Sequence, residues 1–318
     1  MLYDPLIRLM LSTSQWSQQQ PAISILIFHR VLKHPDPLFP GAMHAERFES
    51  IIRWLCEWFD VVPLSEAVES LRSDSRPSRK ISITFDDGYL DNNTCALPIL
   101  KKHGVPATFF IATGYLNGGR MWNDEIIESV RSTKEAVLDL DSFGLGRLPV
   151  SSSHDKRSAI ALLIEKLKYL RHADRRVLAH EISDFCNVRS DEELMMRDHH
   201  VREMLSAGME IGAHTVDHPI LATCDAREAR EQIVGSRDYL RDLLRVPIAL
   251  FAYPNGKPHV DYLPEHARMV KELGFSAAAS TAAGATRSYD DAFELKRFTP
   301  WDQSRARFGV RLALNLLN

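Results

Sequence analysis

The stretch Ile81-Ser82-Ile83-Thr84-Phe85-Asp86-Asp87-Gly88-Tyr89 decides how the rest of the chain is read. Apolar residues alternating with small hydroxyl residues form the pattern of a buried strand, and the run stops at two adjacent carboxylates and a glycine. Successive strand residues face opposite ways, so Asp86 and Asp87 cannot serve one purpose in one direction. Two like charges side by side need a cation or a proton to resolve them. Asp-Asp-Gly is also ordinary turn chemistry, so the stretch alone leaves both readings open.

Working outward, residues 92–103 read as a helix stopped by Gly104, and 105–112 as the next buried strand. Strand, helix, strand at this spacing is a βαβ unit, with parallel strands and a right-handed crossover. Upstream, residues 21–28 form an apolar strand running into His29-Arg30. A helix follows over about 45–59, with Phe48, Ile51, Ile52, Leu55 and Cys56 on one face. A short strand at 60–62, a helix capped by Ser65 and ending near Leu71, and a Ser/Arg/Pro linker at 73–79 complete this part. Residues 1–20 hold one short helix. Downstream, strands are expected at 209–213, 248–252 and 275–279, with helices over about 225–244, 263–273 and 303–317.

Residues 114–200 break this rhythm and read as a helical insertion within a single domain spanning 1–318, over the top of the sheet. Six or seven parallel strands leave a doubly wound sheet or a closed (β/α) barrel. In both, chemistry sits at the carboxyl ends of the strands. His29, Asp86-Asp87, His214 and Tyr253 all fall there. Neither GxGxxG nor GxxxxGK[ST] occurs, so a phosphate-cradling loop is not expected.

Among 318 residues, 45% are hydrophobic and 25% charged, as in ordinary globular proteins. A net charge of −3 gives no reason to expect a nucleic-acid partner. No apolar run is long enough to span a bilayer. The first residues lack a basic-then-apolar signal pattern, so a cytoplasmic protein is expected. Cys56, Cys95, Cys186 and Cys224 are scattered without a CxxC pair and read as free thiols.

The segment Ala213-His214-Thr215-Val216-Asp217-His218-Pro219 follows directly on a strand. Histidines four apart share one side of a helical turn, a spacing suited to gripping one cation. One capped and one exposed histidine would fit the same pair. An aspartate from another strand end makes the set His, His, Asp with a fourth position open, the composition of a catalytic zinc-type site. Thr215 after His214 excludes the HExxH signature.

Thr84-Phe85-Asp86-Asp87-Gly88 together with His214-Thr215-Val216-Asp217-His218 resembles the first two motifs of the polysaccharide deacetylase family, the NodB-homology group related to carbohydrate esterase family 4. Phe251-Ala252-Tyr253-Pro254-Asn255-Gly256 stands in place of the family's third, Arg-x-Pro-Tyr-type segment. The resemblance implies a distorted (β/α) barrel of about seven parallel strands. It implies Asp87, His214 and His218 as ligands of one divalent metal ion, zinc with cobalt or nickel as alternatives. It further implies Asp86 as general base and the Tyr253 backbone N–H as oxyanion donor.

Two features depart from the family pattern. The third-motif arginine is absent, and no late Leu-x-His motif follows. Arg297, in Leu295-Lys296-Arg297-Phe298, could orient the base but cannot act as an acid. His29 is the candidate acid, in a Phe-His segment that resembles the permuted subgroup of the family. Trp122, Asn255 and Tyr89 are the candidate substrate contacts, with Trp301 a further aromatic that reads better as packing. The expected activity is removal of N-acetyl groups from an amino-sugar unit of a polysaccharide or its precursor. The rival readings are a hydrolase of a non-sugar C–N bond and a carbohydrate-binding protein without turnover.

Overall fold

A computed structural model describes residues 21–73, 79–187 and 193–317. The helix expected within 1–20 and most of the linker at 73–79 lie outside the described residues. The first half of the barrel comprises β1 (Ala22–Phe28), α1 (Ala45–Trp58), β2 (Asp60–Val61), α2 (Leu64–Ser73), β3 (Lys80–Phe85), α3 (Leu97–His103) and β4 (Thr108–Ile111). Then come α4 (Trp122–Ser132), β5 (Val137–Leu140), β6 (Gly146–Pro149), α5 (Ser153–Lys168) and α6 (His172–Phe185). The chain returns to the barrel with α7 (Asp198–Ser206), β7 (Glu210–Ala213), α8 (Ala226–Leu244), β8 (Leu250–Ala252), α9 (Pro264–Glu272) and β9 (Ala277–Ala283). It ends with β10 (Thr286–Arg287), β11 (Leu295–Arg297) and α10 (Arg305–Leu317).

Seven strands run parallel around a ring in the order β1, β3, β4, β7, β8, β9, β11. The ring closes where the Ile27 N–H donates to the Phe298 carbonyl at 3.1 Å and the Phe298 N–H to Ile25 at 2.7 Å. Antiparallel β10 pairs with the start of β1, and β2 extends β3. The architecture is the barrel that the resemblance implied.

Alternation along the strands sorts side chains between the barrel interior and the helical shell. Ile81, Ile83 and Phe85 of β3 pack outward with Phe48, Ile51, Ile52 and Leu55 of α1. Inside, Ile23 and Ile25 meet Phe110, Leu250, Ala277, Ala279 and Leu295, with Leu64, Ala67 and Val68 of α2 in the same cluster. A Cβ on Gly212 would lie 2.5 Å from the Phe110 ring, so β7 carries glycine where that ring fills the interior. The interior hydroxyls of β3 are satisfied: Ser82 donates to the Val62 carbonyl at 2.9 Å and Thr84 to Leu26 at 2.8 Å. Phe28, Phe85 and Phe109 stand in register on neighbouring strands, with ring centroids 5.3 and 4.7 Å apart. This ladder fixes the backbone immediately before His29 and Asp86. Each such buried ring is worth roughly 1.5–3 kcal/mol over exposure.

Three local expectations change. Cys56 is exposed and Trp58 takes the buried position on α1, because positions 48, 51, 52, 55 and 58 follow the 3.6-residue stripe more closely. Ser65 lies inside α2, which already includes Leu64. The helix expected over 92–103 begins as a π turn at Asn92–Ala96, where the Asn92 side chain donates to the His29 carbonyl at 2.7 Å. The segment from α4 to α6 has its own apolar cluster, including Ile126, Leu140, Leu163 and Ile182. Its Gly144–Gly146 region is the turn of the β5–β6 hairpin. Val201 and Met204 of α7 belong to the barrel cluster instead. No helix among the described residues is long and apolar enough to cross a membrane.

Candidate metal centre

The two adjacent aspartates are separated by a turn. The Asp86 N–H continues the ladder to the Phe28 carbonyl at 3.0 Å, and then Asp87 and Gly88 take φ of 78° and 91°. A left-handed aspartate costs about 1–2 kcal/mol. Here the reversal sends the two carboxylates to different partners, in place of the simple opposition of a continuing strand. Asp86 is 2% exposed and receives both guanidinium arms of Arg297 at 2.8 Å. Arg297 also donates from Nε to the Ser280 carbonyl at 2.6 Å and from Nη1 to Thr84 at 3.2 Å. Burial pushes the Asp86 pKa up, but the Arg297 guanidinium and nearby His214 outweigh it and hold the carboxyl below its ordinary value.

Asp87 Oδ1 faces His214 Nε2 at 3.4 Å and His218 Nε2 at 3.3 Å. His214 Nδ1 lies 2.7 Å from the Ala252 carbonyl, which can only accept, so Nδ1 carries a proton and Nε2 is the nitrogen turned to Asp87. Burial disfavours charge on the ring, but Asp87 and Asp86 outweigh it and raise its pKa, so Nε2 offers a lone pair where a cation takes the place of its proton. Asp87 Oδ1 is buried without a hydrogen bond among the described residues. Lone pairs converging on one point require a cation or a proton between them. Two ligands about 2.0–2.1 Å from a tetrahedral ion stand about 3.3 Å apart, so the observed separations fit a divalent metal of zinc size. The three ligand atoms all lie within 4.8 Å of one another. Burial opposes ionisation of Asp87, yet the His214 imidazole beside it, together with those of His218 and His29, holds its pKa far below the usual carboxylate range. Burial lowers His218 to about 3 despite Asp87, which keeps that ring neutral and able to ligate.

The histidine pair is held by a loop, not by the helical turn that its spacing suggested. Thr215 and His218 have φ of 65° and 52°, so the backbone twice enters the left-handed region. The loop is pinned throughout. The Thr215 hydroxyl accepts from the His218 N–H at 3.1 Å, and the Gln232 Oε1 of α8 accepts from the Val216 and Asp217 N–H groups at 3.1 and 2.8 Å. The Gly114 N–H donates to the Val216 carbonyl at 2.8 Å. A Cβ on Gly114 would lie 2.7 Å from Asp217 Oδ1, so the close approach needs glycine there.

These groups open into a cavity of about 220 Å³. Asp86, Asp87, His214, His218, His29, Trp122 and Asn255 all line it, together with Met121, Asn123, Ile164, Lys168 and Thr281. Residues expected from the ends of β1, β3, β7 and β8 and from the insertion are thus brought together. Three expectations are corrected. The Tyr253 N–H donates to the Ala279 carbonyl at 3.1 Å in the β8–β9 ladder, so it is not available to an oxyanion. Its ring is fully buried, stacked on Tyr262 at 3.7 Å. Two positions on, Asn255 has φ of 58°, and its N–H has no partner among the described residues. Tyr89 is 3% exposed and does not line the cavity; its ring lies under the Arg30 guanidinium, 4.9 Å from the centroid. Trp301 is 66% exposed and outside the cavity, its ring under the Arg311 guanidinium at 5.3 Å instead of packed in the interior.

Two buried charges were not singled out from the sequence. Asp124 is 3% exposed, and burial, with Asp87 nearby, raises its pKa to about 7 against the pull of Arg30 and the Tyr89 hydroxyl. Arg175 is 1% exposed on α6. Its position carries no motif, and nothing local marks it.

The sequence profile described as polysaccharide deacetylase matches residues 73–138 and 167–278, over half of the chain. YxkH of Bacillus subtilis (strain 168) is 37% identical over 103 residues, covering 31% of this chain and 36% of YxkH. The poly-beta-1,6-N-acetyl-D-glucosamine N-deacetylase of Staphylococcus aureus (strain MSSA476) is 36% identical over 90 residues, covering 28% of this chain and 31% of that protein. The match thus spans about a third of the length of these curated relatives. Among solved structures, Streptococcus pyogenes deacetylase PplD in complex with acetate superposes with a TM-score of 0.62 at 18% identity, covering 93% of this chain and 99% of that one. IcaB from Ammonifex degensii gives a TM-score of 0.59 at 19% identity, covering 94% and 99%. At these identities the superpositions establish the shared fold.

Proposed function

The chain belongs to the polysaccharide deacetylase family, and on that footing we propose that it is a metal-dependent hydrolase that removes N-acetyl groups from an amino-sugar unit of a polysaccharide or its precursor. One observation carries the reading: Asp87, His214 and His218 converge beside an Arg297-held Asp86 in a single cavity. Held by Asp87, His214 and His218, a divalent cation would supply Lewis acidity to a carbonyl and to water.

The remaining work falls to the chain's own groups. Asp86, kept ionised by Arg297, takes the proton of the attacking water. Arg297 stays protonated throughout and fixes the carboxylate in one orientation. The Asn255 N–H on the cavity wall donates to the oxygen on which negative charge develops. His29, an exposed imidazole at the same cavity, gives its proton to the departing nitrogen. Trp122, Met121 and Ile164 offer an apolar wall to a sugar face, and Asn123, Lys168 and Thr281 offer polar contacts to hydroxyls. The product pair is acetate and a free amine.

The test is acetate release from a β-1,6-linked N-acetylglucosamine oligomer, with metal content measured in parallel. Asp86→Asn should keep about one divalent ion per chain and lose roughly 10²–10⁴-fold in kcat. His214→Ala should lose both metal and turnover. Retention of most activity by Asp86→Asn would remove the base assignment. Unchanged metal content in His214→Ala would remove the site.

A further inference from the structure

Arg175 is a charged group that the proposed chemistry does not use. Its guanidinium is buried with no carboxylate in hydrogen-bonding contact among the described residues, and its Nε has no partner there. A buried cation without an ion pair is costly. It also sits in the first turn of α6, the end of a helix where positive charge is disfavoured. Neither α6 nor the apolar cluster around it therefore accounts for an arginine at this position.

Its contacts converge on the cavity from behind. The guanidinium carbon lies over the Trp122 ring, 4.8 Å from the centroid. Nη1 donates to the Lys168 carbonyl at 2.9 Å, at the last residue of α5. Nη2 donates to the His218 carbonyl at 3.3 Å, in the loop that presents the metal-site histidines. Trp122 and Lys168 both line the cavity. One planar group therefore ties two residues of the insertion wall to the barrel loop opposite them. A lysine could not do this, because a single ammonium cannot cover a ring and hold two divergent carbonyls. The contact with the indole face is of the kind that strengthens when both partners are desolvated.

We propose that Arg175 is a positioning residue that sets Trp122 as the platform for the substrate's sugar ring, so that the insertion determines substrate affinity. The inference rests on the cavity being the sugar site described above. Arg175 does not touch the reacting atoms, so its loss acts on binding and not on the chemical step.

The experiment is a double-mutant cycle of Arg175→Met and Trp122→Phe, read with the same β-1,6-linked N-acetylglucosamine oligomer. Each single variant should raise KM about tenfold, with kcat within threefold of the wild type and one metal ion per chain retained. The double variant should be no worse than either single one, because both disable the same platform. A folded Arg175→Met with unchanged KM, or effects that multiply in the double variant, would overturn the proposal. If Arg175→Met does not fold, Arg175→Lys carries the same cycle, with the same expected loss in KM. If the wild type releases no acetate, the functional reading fails by itself, and the cycle is then read in oligomer Kd by titration calorimetry. Coupled losses in Kd would sustain the role of Arg175. Independent losses, or no binding by the wild type, would end it.

Discussion

Breaking the Asp86–Arg297 pair tests the core of the site most directly. Both side chains are essentially inaccessible, at 2% and 0%, and they meet through two parallel 2.8 Å bonds. Arg297→Met leaves the Asp86 carboxylate in the barrel without its counter-charge, and leaves the Ser280 carbonyl without the 2.6 Å bond from Nε. Removing one member of such a pair costs about 3–5 kcal/mol, whereas exchanging both members for apolar groups of similar volume is often close to neutral. The expected result is a loss of 3–5 kcal/mol in urea unfolding for Arg297→Met, a large share of the roughly 5–15 kcal/mol available to a folded protein. The double variant Asp86→Leu/Arg297→Met should recover most of that loss while remaining inactive. Arg297→Lys should fall between, since one ammonium cannot make a fork. Unfolding is measured with metal at fixed free concentration, because ion binding adds its own stabilisation. The reasoning is refuted if the double variant is as unstable as the sum of its single variants, or if Arg297→Met lies within 1 kcal/mol of the wild type.

Three further outcomes follow from the loop and from Asp124. Gly114→Ala places a methyl 2.7 Å from Asp217 Oδ1 and 2.9 Å from the Val216 carbonyl. The His218 loop must then shift, lowering metal content below one per chain and stability by roughly 1–3 kcal/mol. Gln232→Ala leaves the Val216 and Asp217 N–H groups without their acceptor. Competition with a chelating dye should show metal affinity reduced roughly 10–100-fold, as for other outer-shell losses. Asp124 has a pKa of about 7 against an ordinary 3.8, so the folded state holds its proton where the unfolded chain has released it. Its contribution is fully present below about pH 4 and is lost as pH rises through about 7. At 1.36 kcal/mol per pH unit, that is roughly 4 kcal/mol at most. The stability of Asp124→Asn relative to the wild type should therefore grow between pH 4 and pH 8 in denaturant titrations. A constant difference across that range would show that Asp124 is ionised throughout.

What the chain discloses in one dimension depends on how far each side chain's partner lies. Asp87, His214 and His218 could be grouped because each ends or follows a strand, and parallel strands of one sheet deliver their carboxyl ends to one face. The conformation that unites the two histidines could not be anticipated from a four-residue spacing. It depends on left-handed Thr215 and His218, on Gln232 and on the absent side chain of Gly114. Tyr253 shows the same limit from the other side. The resemblance implied the Tyr253 N–H as oxyanion donor, but β8 extends its ladder by one more bond to Ala279, and at the cavity it is the Asn255 N–H that has no partner among the described residues. Arg297 could be named only as a candidate, because its partner lies 211 positions earlier and is reached only when β11 closes the ring against β1. Arg175 lies further still from local signals, since its partners Trp122, Lys168 and His218 come from three separate segments. The groups assigned to bond-making sit on strand ends, where fold and chemistry share one pattern. The groups that orient them come from closure of the barrel and from the insertion, and a charge buried there acquires meaning only through what it touches.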